Sequence, residues 1–182
     1  YAWALIKHPL PIIPNLRVEY VSIYDEGTTT GKVNGITVSK APTTVDMKQV
    51  DFVPYYNLLD NTFWMTIDAG IDIKLIQTDA VVGKVYADTS TSVIPFLYLR
   101  DRVEIPATNV GIESDVKFIT DGSSTIYDAR AKVDYTFEIT PVIKPAIEIG
   151  YRIQDFNIDD DDDSTKGHLK YKGVYAGIML RF

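Results

Sequence analysis

The sequence predicts an all-β fold, an antiparallel up-and-down transmembrane β-barrel that takes in residues 1–182 as a single domain. Three observations lead there. In the final segment, Val174, Ala176, Ile178, Leu180 and Phe182 share one face, while Gly173, Tyr175, Gly177, Met179 and Arg181 share the other. An apolar face for lipid, a mixed face for a lumen and a terminal aromatic residue are marks of an outer-membrane strand. Several strand candidates also reach the ~9–11 residues that cross a bilayer at a tilt, beyond the ~5–6 usual in globular sheets. Finally, the prolines gather on one side of the expected sheet.

Taken in order, the strand candidates fall near 1–8, 15–24, 45–53, 61–75, 93–104, 109–119, 125–138, 146–157 and 168–182, with turn residues between them. The fourth sets Phe63, Met65, Ile67, Ala69, Ile71 and Ile73 against Trp64, Thr66, Asp68, Gly70, Asp72 and Lys74. In the fifth, Leu97, Leu99, Val103 and Ile105 oppose Tyr98, Arg100, Arg102 and Glu104. The seventh opposes Tyr127, Ala129, Ala131, Val133, Tyr135 and Phe137 to Asp128, Arg130, Lys132, Asp134 and Glu138. The eighth opposes Ile147, Ile149, Tyr151 and Ile153 to Glu148, Gly150, Arg152 and Gln154. No stretch carries a convincing helical period.

If Phe182 ends at the periplasm, the periplasmic turns fall near 9–14, 54–60, 105–108 and 139–145. They hold Pro9, Pro11, Pro14, Pro54, Pro106, Pro141 and Pro145, seven of the nine prolines. The opposite ends would carry longer, more polar connections at 25–44, 76–92, 120–124 and 158–167. Short turns on one side and long loops on the other fit the barrel. Bacterial barrels have an even strand count, so nine visible strands imply one more before Tyr1 and about ten in the full-length protein. Eight result if 45–53 is a loop excursion or two candidates merge.

Composition narrows the field. Hydrophobic residues make up 46% of the chain, yet no run approaches the ~18 apolar residues of a membrane helix. Without cysteine, thiol catalysis, cysteine-based zinc sites and disulfide scaffolds drop out. A net charge of −7 argues against nucleic acid as a partner.

Several segments together resemble a family of small proteobacterial outer-membrane β-barrel proteins of unassigned function. They are His8-Pro9-Leu10-Pro11-Ile12-Ile13-Pro14-Asn15-Leu16-Arg17, Tyr55-Tyr56-Asn57-Leu58-Leu59-Asp60 and Ser124-Thr125-Ile126-Tyr127-Asp128-Ala129-Arg130-Ala131-Lys132. Gly150-Tyr151-Arg152 and Lys172-Gly173-Val174-Tyr175-Ala176-Gly177 complete the set. The resemblance spans essentially the whole chain. It implies export to the outer membrane of a Gram-negative cell, with a signal peptide and a further N-terminal strand. It supplies no catalytic, cofactor or ligand-binding residues. Expected partners are outer-membrane lipid, lipopolysaccharide and the barrel-assembly machinery, which would read Tyr175, Gly177, Leu180 and Phe182 in the last strand.

The charged faces collect Arg17, Glu19, Asp68, Asp72, Lys74, Arg100, Arg102, Glu104, Glu113, Asp115, Lys117, Asp128, Arg130, Lys132, Asp134, Glu148 and Arg152. At their centre, a lumen polar network is expected from Arg100, Arg102, Glu104, Asp128, Arg130, Lys132, Asp134 and Arg152. Buried charges need partners, so the simplest use is an ion-paired core that fills a narrow barrel. A selective pore would favour a ring of one sign, and both signs are mixed here.

Asp159, Asp160, Asp161, Asp162 and Asp163 could hold a divalent cation such as Ca²⁺ through oxygen ligands. A like-charge run is more often a solvated loop, and no resident metal is expected. His168 follows this run at the expected rim. His8 falls at the other end, and no Gly-x-Ser-x-Gly nucleophile motif is present, so no enzyme is expected. Tyr55, Tyr56, Phe52 and Trp64 on one side, and Tyr24, Tyr127 and Phe156 on the other, suit interfacial aromatic belts.

Three functions follow from these readings: a structural or surface-interaction barrel without catalysis, a narrow pore for small solutes, or a soluble periplasmic lipocalin-like barrel that binds an apolar ligand. The third inverts the two faces, and a period of two is blind to that inversion.

Overall fold

A computed structural model describes residues 1–7, 10, 12–33, 35–120, 125–139, 144–159 and 166–181. For residues 32, 157–159, 166–169, 180 and 181 only the backbone is described. The strands are β1 (Ala2–Ile6), β2 (Asn15–Val33), β3 (Ile36–Thr62), β4 (Met65–Val82), β5 (Tyr86–Glu104), β6 (Val110–Thr120), β7 (Thr125–Thr136), β8 (Lys144–Asp159) and β9 (Lys166–Arg181). Their order in the sheet is their order in the chain. The fold is therefore all-β and up-and-down, which fits a β-barrel. Each of the nine sequence candidates coincides for most of its length with one strand, but the fourth, 61–75, also takes in the end of β3 and the turn at Phe63 and Trp64. The stretch 45–53 belongs to β3, so it is not a loop excursion, and no two candidates merge.

Three of the expected connections are corrected. Residues 25–44 and 76–92 are not long loops; most of them extend β2 and β3, and β4 and β5. The runs Thr28-Thr29-Thr30 and Thr43-Thr44-Val45 are β-branched and favour extended backbone. Between β2 and β3 the sequence offers Asn34-Gly35, a hairpin-turn pair, and Gly35 takes φ +79°. Gly83, after β4, takes φ +55°, and its N–H donates to the Pro42 carbonyl at 2.7 Å.

The third correction is 54–60, expected as a turn and found within β3. The chain reverses instead at Phe63 and Trp64, both at positive φ, 53° and 63°. A two-residue hairpin turn of the primed type needs that backbone at both positions. The tidy grouping of prolines weakens with it, because Pro54 and Pro145 lie inside strands. Pro106 keeps its turn, where the Thr108 N–H donates to the Ile105 carbonyl at 3.2 Å. Pro9, Pro11 and Pro141 lie outside the described residues.

The chain forms two compact units. One comprises Tyr1–Val53 and Ile73–Pro95. Its buried residues include Val21, Val38, Met47, Val53, Ile76 and Val82 alongside Arg17, Glu19, Gln49, Asp51 and Lys74. The other comprises Pro54–Asp72 and Phe96–Phe182. There the alternation is strict: β7 buries Asp128, Arg130, Lys132 and Asp134 and turns Val133 and Tyr135 outward. On β9, Val174 is 73% and Ile178 83% exposed, while Met179 is buried. On β4 to β8 most charged side chains lie on the covered face.

Candidate functional site: a buried polar network

Register assembles the network. Arg102 lies opposite Glu113, and Glu113 lies opposite Lys132. One step along, Arg100 faces Asp115, which faces Arg130. The next row sets Lys117 against Asp128, which faces Gln154. Charges therefore alternate in sign across β5, β6 and β7, the arrangement that favours cross-strand pairs. Two like-charge pairs also fall opposite each other, Arg130 with Arg152 and Asp134 with Glu148. Arg130 pairs with Asp115 on its own row, whereas Arg152, Asp134 and Glu148 find opposite charges on other rows.

Arg102 grips Asp134 with two parallel bonds, Nη1 to Oδ1 at 2.6 Å and Nη2 to Oδ2 at 3.0 Å. Its Nε donates to Glu104 at 2.7 Å. Arg152 makes the same fork on Asp128, at 2.8 and 2.6 Å, and Gln154 adds a third bond at 2.9 Å. Such planar bidentate contacts are stronger than neutral hydrogen bonds and fix orientation. Lys132 donates to Glu148 at 2.7 Å, and Arg130 Nε donates to Asp115 at 2.8 Å.

Glu113 is the hub. It accepts from Arg100 at 2.7 Å and from Arg102 at 3.2 Å, with the Lys132 and Arg130 nitrogens at 3.4 and 3.6 Å. Arg100 also donates to Asp68, and Asn57 donates to the same carboxylate at 2.5 Å. Asp72 and Lys117 approach to 3.7 Å.

Small residues make room for these side chains. A Cβ on Gly111 would stand 2.0 Å from the Arg102 guanidinium, and one on Gly150 would meet the Tyr175 ring at 2.7 Å. Large groups lie flat over both glycines. Tyr55, expected in an aromatic belt, is corrected: it is buried beside Gly70 and packs edge-on against Tyr98, with centroids 6.3 Å apart. It shares the parity of Asp51 and Val53, and Gly70 leaves space for the Pro54 carbonyl and the Tyr55 Cα and Cβ. Phe156 is also buried, not at a belt, whereas Phe52, Tyr56, Trp64 and Tyr24 are exposed.

The other unit holds its own pairs. Lys74 Nζ bonds both oxygens of Asp51, at 2.8 and 2.7 Å. Arg17 Nε bonds Glu19 at 2.6 Å, and its guanidinium lies 4.8 Å from the centroid of Trp3.

All eight residues expected in the central network take part in it: Arg100, Arg102, Glu104, Asp128, Arg130, Lys132, Asp134 and Arg152. Gln49, Asp51 and Asn57 were missed by sequence reasoning. Their signal was the alternation of Gln49, Asp51 and Val53 against Val50, Phe52 and Pro54, which runs unbroken through the proline. In the last strand, Tyr175 lies opposite Gly150 and Gly177 opposite Glu148. The Leu180 side chain and Phe182 lie outside the described residues, as do Asp160–Asp163 and His8. Asp159 and His168 are described by backbone alone, within β8 and β9. Among the described residues, no three histidine or acidic side chains converge as a metal site.

The chemistry of the arrangement is cohesive. Each carboxylate of the central network lies beside a cation. Comparison with known proteins finds no protein-family profile, no curated protein and no solved structure that matches this chain.

Proposed function

We propose that this protein is a β-barrel of the bacterial outer membrane with an ion-paired, filled interior, serving a structural or surface-interaction role without catalysis. The observation that carries the reading is the sense of the two faces. Charged side chains are covered, while Leu97, Leu99, Ile112, Val133, Ile147, Ile149, Val174 and Ile178 are turned outward. Water disfavours so continuous an apolar surface, and a hydrocarbon environment accommodates it. With 11 residues β6 is long enough to cross, as are the longer strands beside it.

The filled interior is favoured over the narrow pore by burial. Arg17, Lys74 and Lys117 are 0% exposed, as are Asp51, Asp68 and Asp72. A water-lined channel would leave such groups solvated. A lipocalin-like barrel with an apolar pocket would need the opposite sense of the faces.

The test is to refold the protein with and without detergent and follow β-structure and monodispersity. Folded protein only with detergent or lipid is the expected result. A monodisperse folded protein in plain buffer would overturn the membrane reading. Conductance in planar bilayers then separates a filled barrel, which stays silent, from a pore.

A further inference from the structure

We infer that the exposed face of β5–β8 carries a binding groove for a phospholipid with a primary ammonium headgroup. The inference rests on the membrane reading and adds a specific ligand class to it.

The groove measures about 300 Å³. Its floor is Ser114, Ala129 and Ala131, small residues on adjacent β6 and β7. Leu99 and Asp101 of β5 rise on one side, and Tyr151 and Ile153 of β8 on the other. Ala131 lies opposite Tyr151 and Ala129 opposite Ile153, so the walls and floor are in register. The neighbouring outward positions on β7 are larger, Tyr127 before Ala129 and Val133 after Ala131. An acyl chain laid along it would fill the dent that the two alanines leave in the apolar surface.

The charge at one corner decides the headgroup. From Leu97 to Val103, Val110 to Phe118, Tyr127 to Tyr135 and Ile147 to Asp155, the outward positions carry two carboxylates: Asp155, opposite Tyr127, pairs with Lys170 at 2.8 Å, whereas Asp101 has no cation partner among the described residues. Ser114 donates a hydrogen bond to it. A carboxylate among apolar side chains is costly without a cation beside it. Asp101 stands three residues before Glu104, the last residue of β5, about 10 Å along the strand. That depth lies within reach of a lipid headgroup. A lipid ammonium can bond the carboxylate while its chain occupies the groove, whereas an anionic headgroup would be repelled.

The test uses the full chain refolded into phosphatidylcholine vesicles. Trp3 and Trp64, the only tryptophans, are replaced by Phe, and Tyr151→Trp places the reporter at the groove wall. Brominated phosphatidylethanolamine and brominated phosphatidylglycerol, at equal minor fractions, are compared as quenchers. Roughly threefold tighter association of the ethanolamine lipid is expected, the scale of a surface ion pair. Asp101→Asn should abolish that preference, and Ala131→Leu, which fills the floor, should weaken quenching by both lipids. Equal quenching by the two, or a preference that survives Asp101→Asn, overturns the site while leaving the membrane reading intact. Little quenching by any lipid, with cross-links between copies at position 151, would show the groove covered by a second chain and overturn the site as well. Failure to enter vesicles of any composition would overturn both readings.

Discussion

The two units bury charge in different company. In the unit of Tyr1–Val53 and Ile73–Pro95, β3 sets Asp51 between Gln49 and Val53, and β4 sets Lys74 beside Ile76. Aliphatic residues such as Val21 and Met47 are buried in the same unit as these ion pairs. In the unit of Pro54–Asp72 and Phe96–Phe182, β6 covers Glu113, Asp115 and Lys117 in succession, and β7 covers Asp128, Arg130, Lys132 and Asp134. Glu113 has four cations within 3.6 Å, Asp68 accepts from both Arg100 and Asn57, and Asp128 accepts from both Arg152 and Gln154. The contrast teaches how a polar interior is kept stable. A pair among apolar residues can be exchanged for apolar residues, whereas a member of a shared network cannot leave without stranding several partners.

The largest effect should come from the hub. Glu113→Ala is expected to cost about 3–5 kcal/mol, because it strands buried cations. Urea unfolding in detergent would measure it, and a loss below that of a surface control would show that the network is not cooperative. Next, Val133→Arg puts a charge on the outward face of β7 and should cost about 2–4 kcal/mol if that face meets lipid near its midplane. Normal assembly of this variant in outer membranes would count against the face assignment.

The comparison itself is sharpened by a double swap. Asp51→Leu with Lys74→Met should change stability by less than about 1.5 kcal/mol, while Lys74→Met alone should cost several-fold more. A double variant as damaged as the single one would erase the distinction between the units. The smallest effect concerns the turn at Phe63 and Trp64. Replacing the pair by Asn and Gly should stabilise by about 1 kcal/mol, since bulky residues at positive φ are strained there. A lower unfolding midpoint would mean that the exposed rings contribute more than the strain removes.

Much of this molecule was legible in the chain. Nine strands were visible because strand-like segments recur between turn residues, and the eight expected members of the central network were legible by parity alone. Strand ends were harder. The Thr-rich runs on either side of Asn34-Gly35 read as polar loop, although their β-branched residues favour strand. Pro54 and its neighbours read as a turn because proline punctuates sequences, yet β3 carries it with the Pro54 carbonyl and the Tyr55 Cα close against Gly70. That accommodation depends on a glycine on another strand, which no local window contains.

By itself, the sequence determined the all-β class, the period of two and the membership of each face. The tertiary structure decided which face is covered. A period-two pattern is unchanged when inside and outside are exchanged, so only packing against neighbouring strands can choose between them. Pairing was decided there too. Asp134 binds Arg102 although Gly111 is its opposite residue on β6, because an arginine side chain spans the space that glycine leaves open. Reach across a sheet belongs to side chains set in register, and register is fixed by strands far apart in the chain.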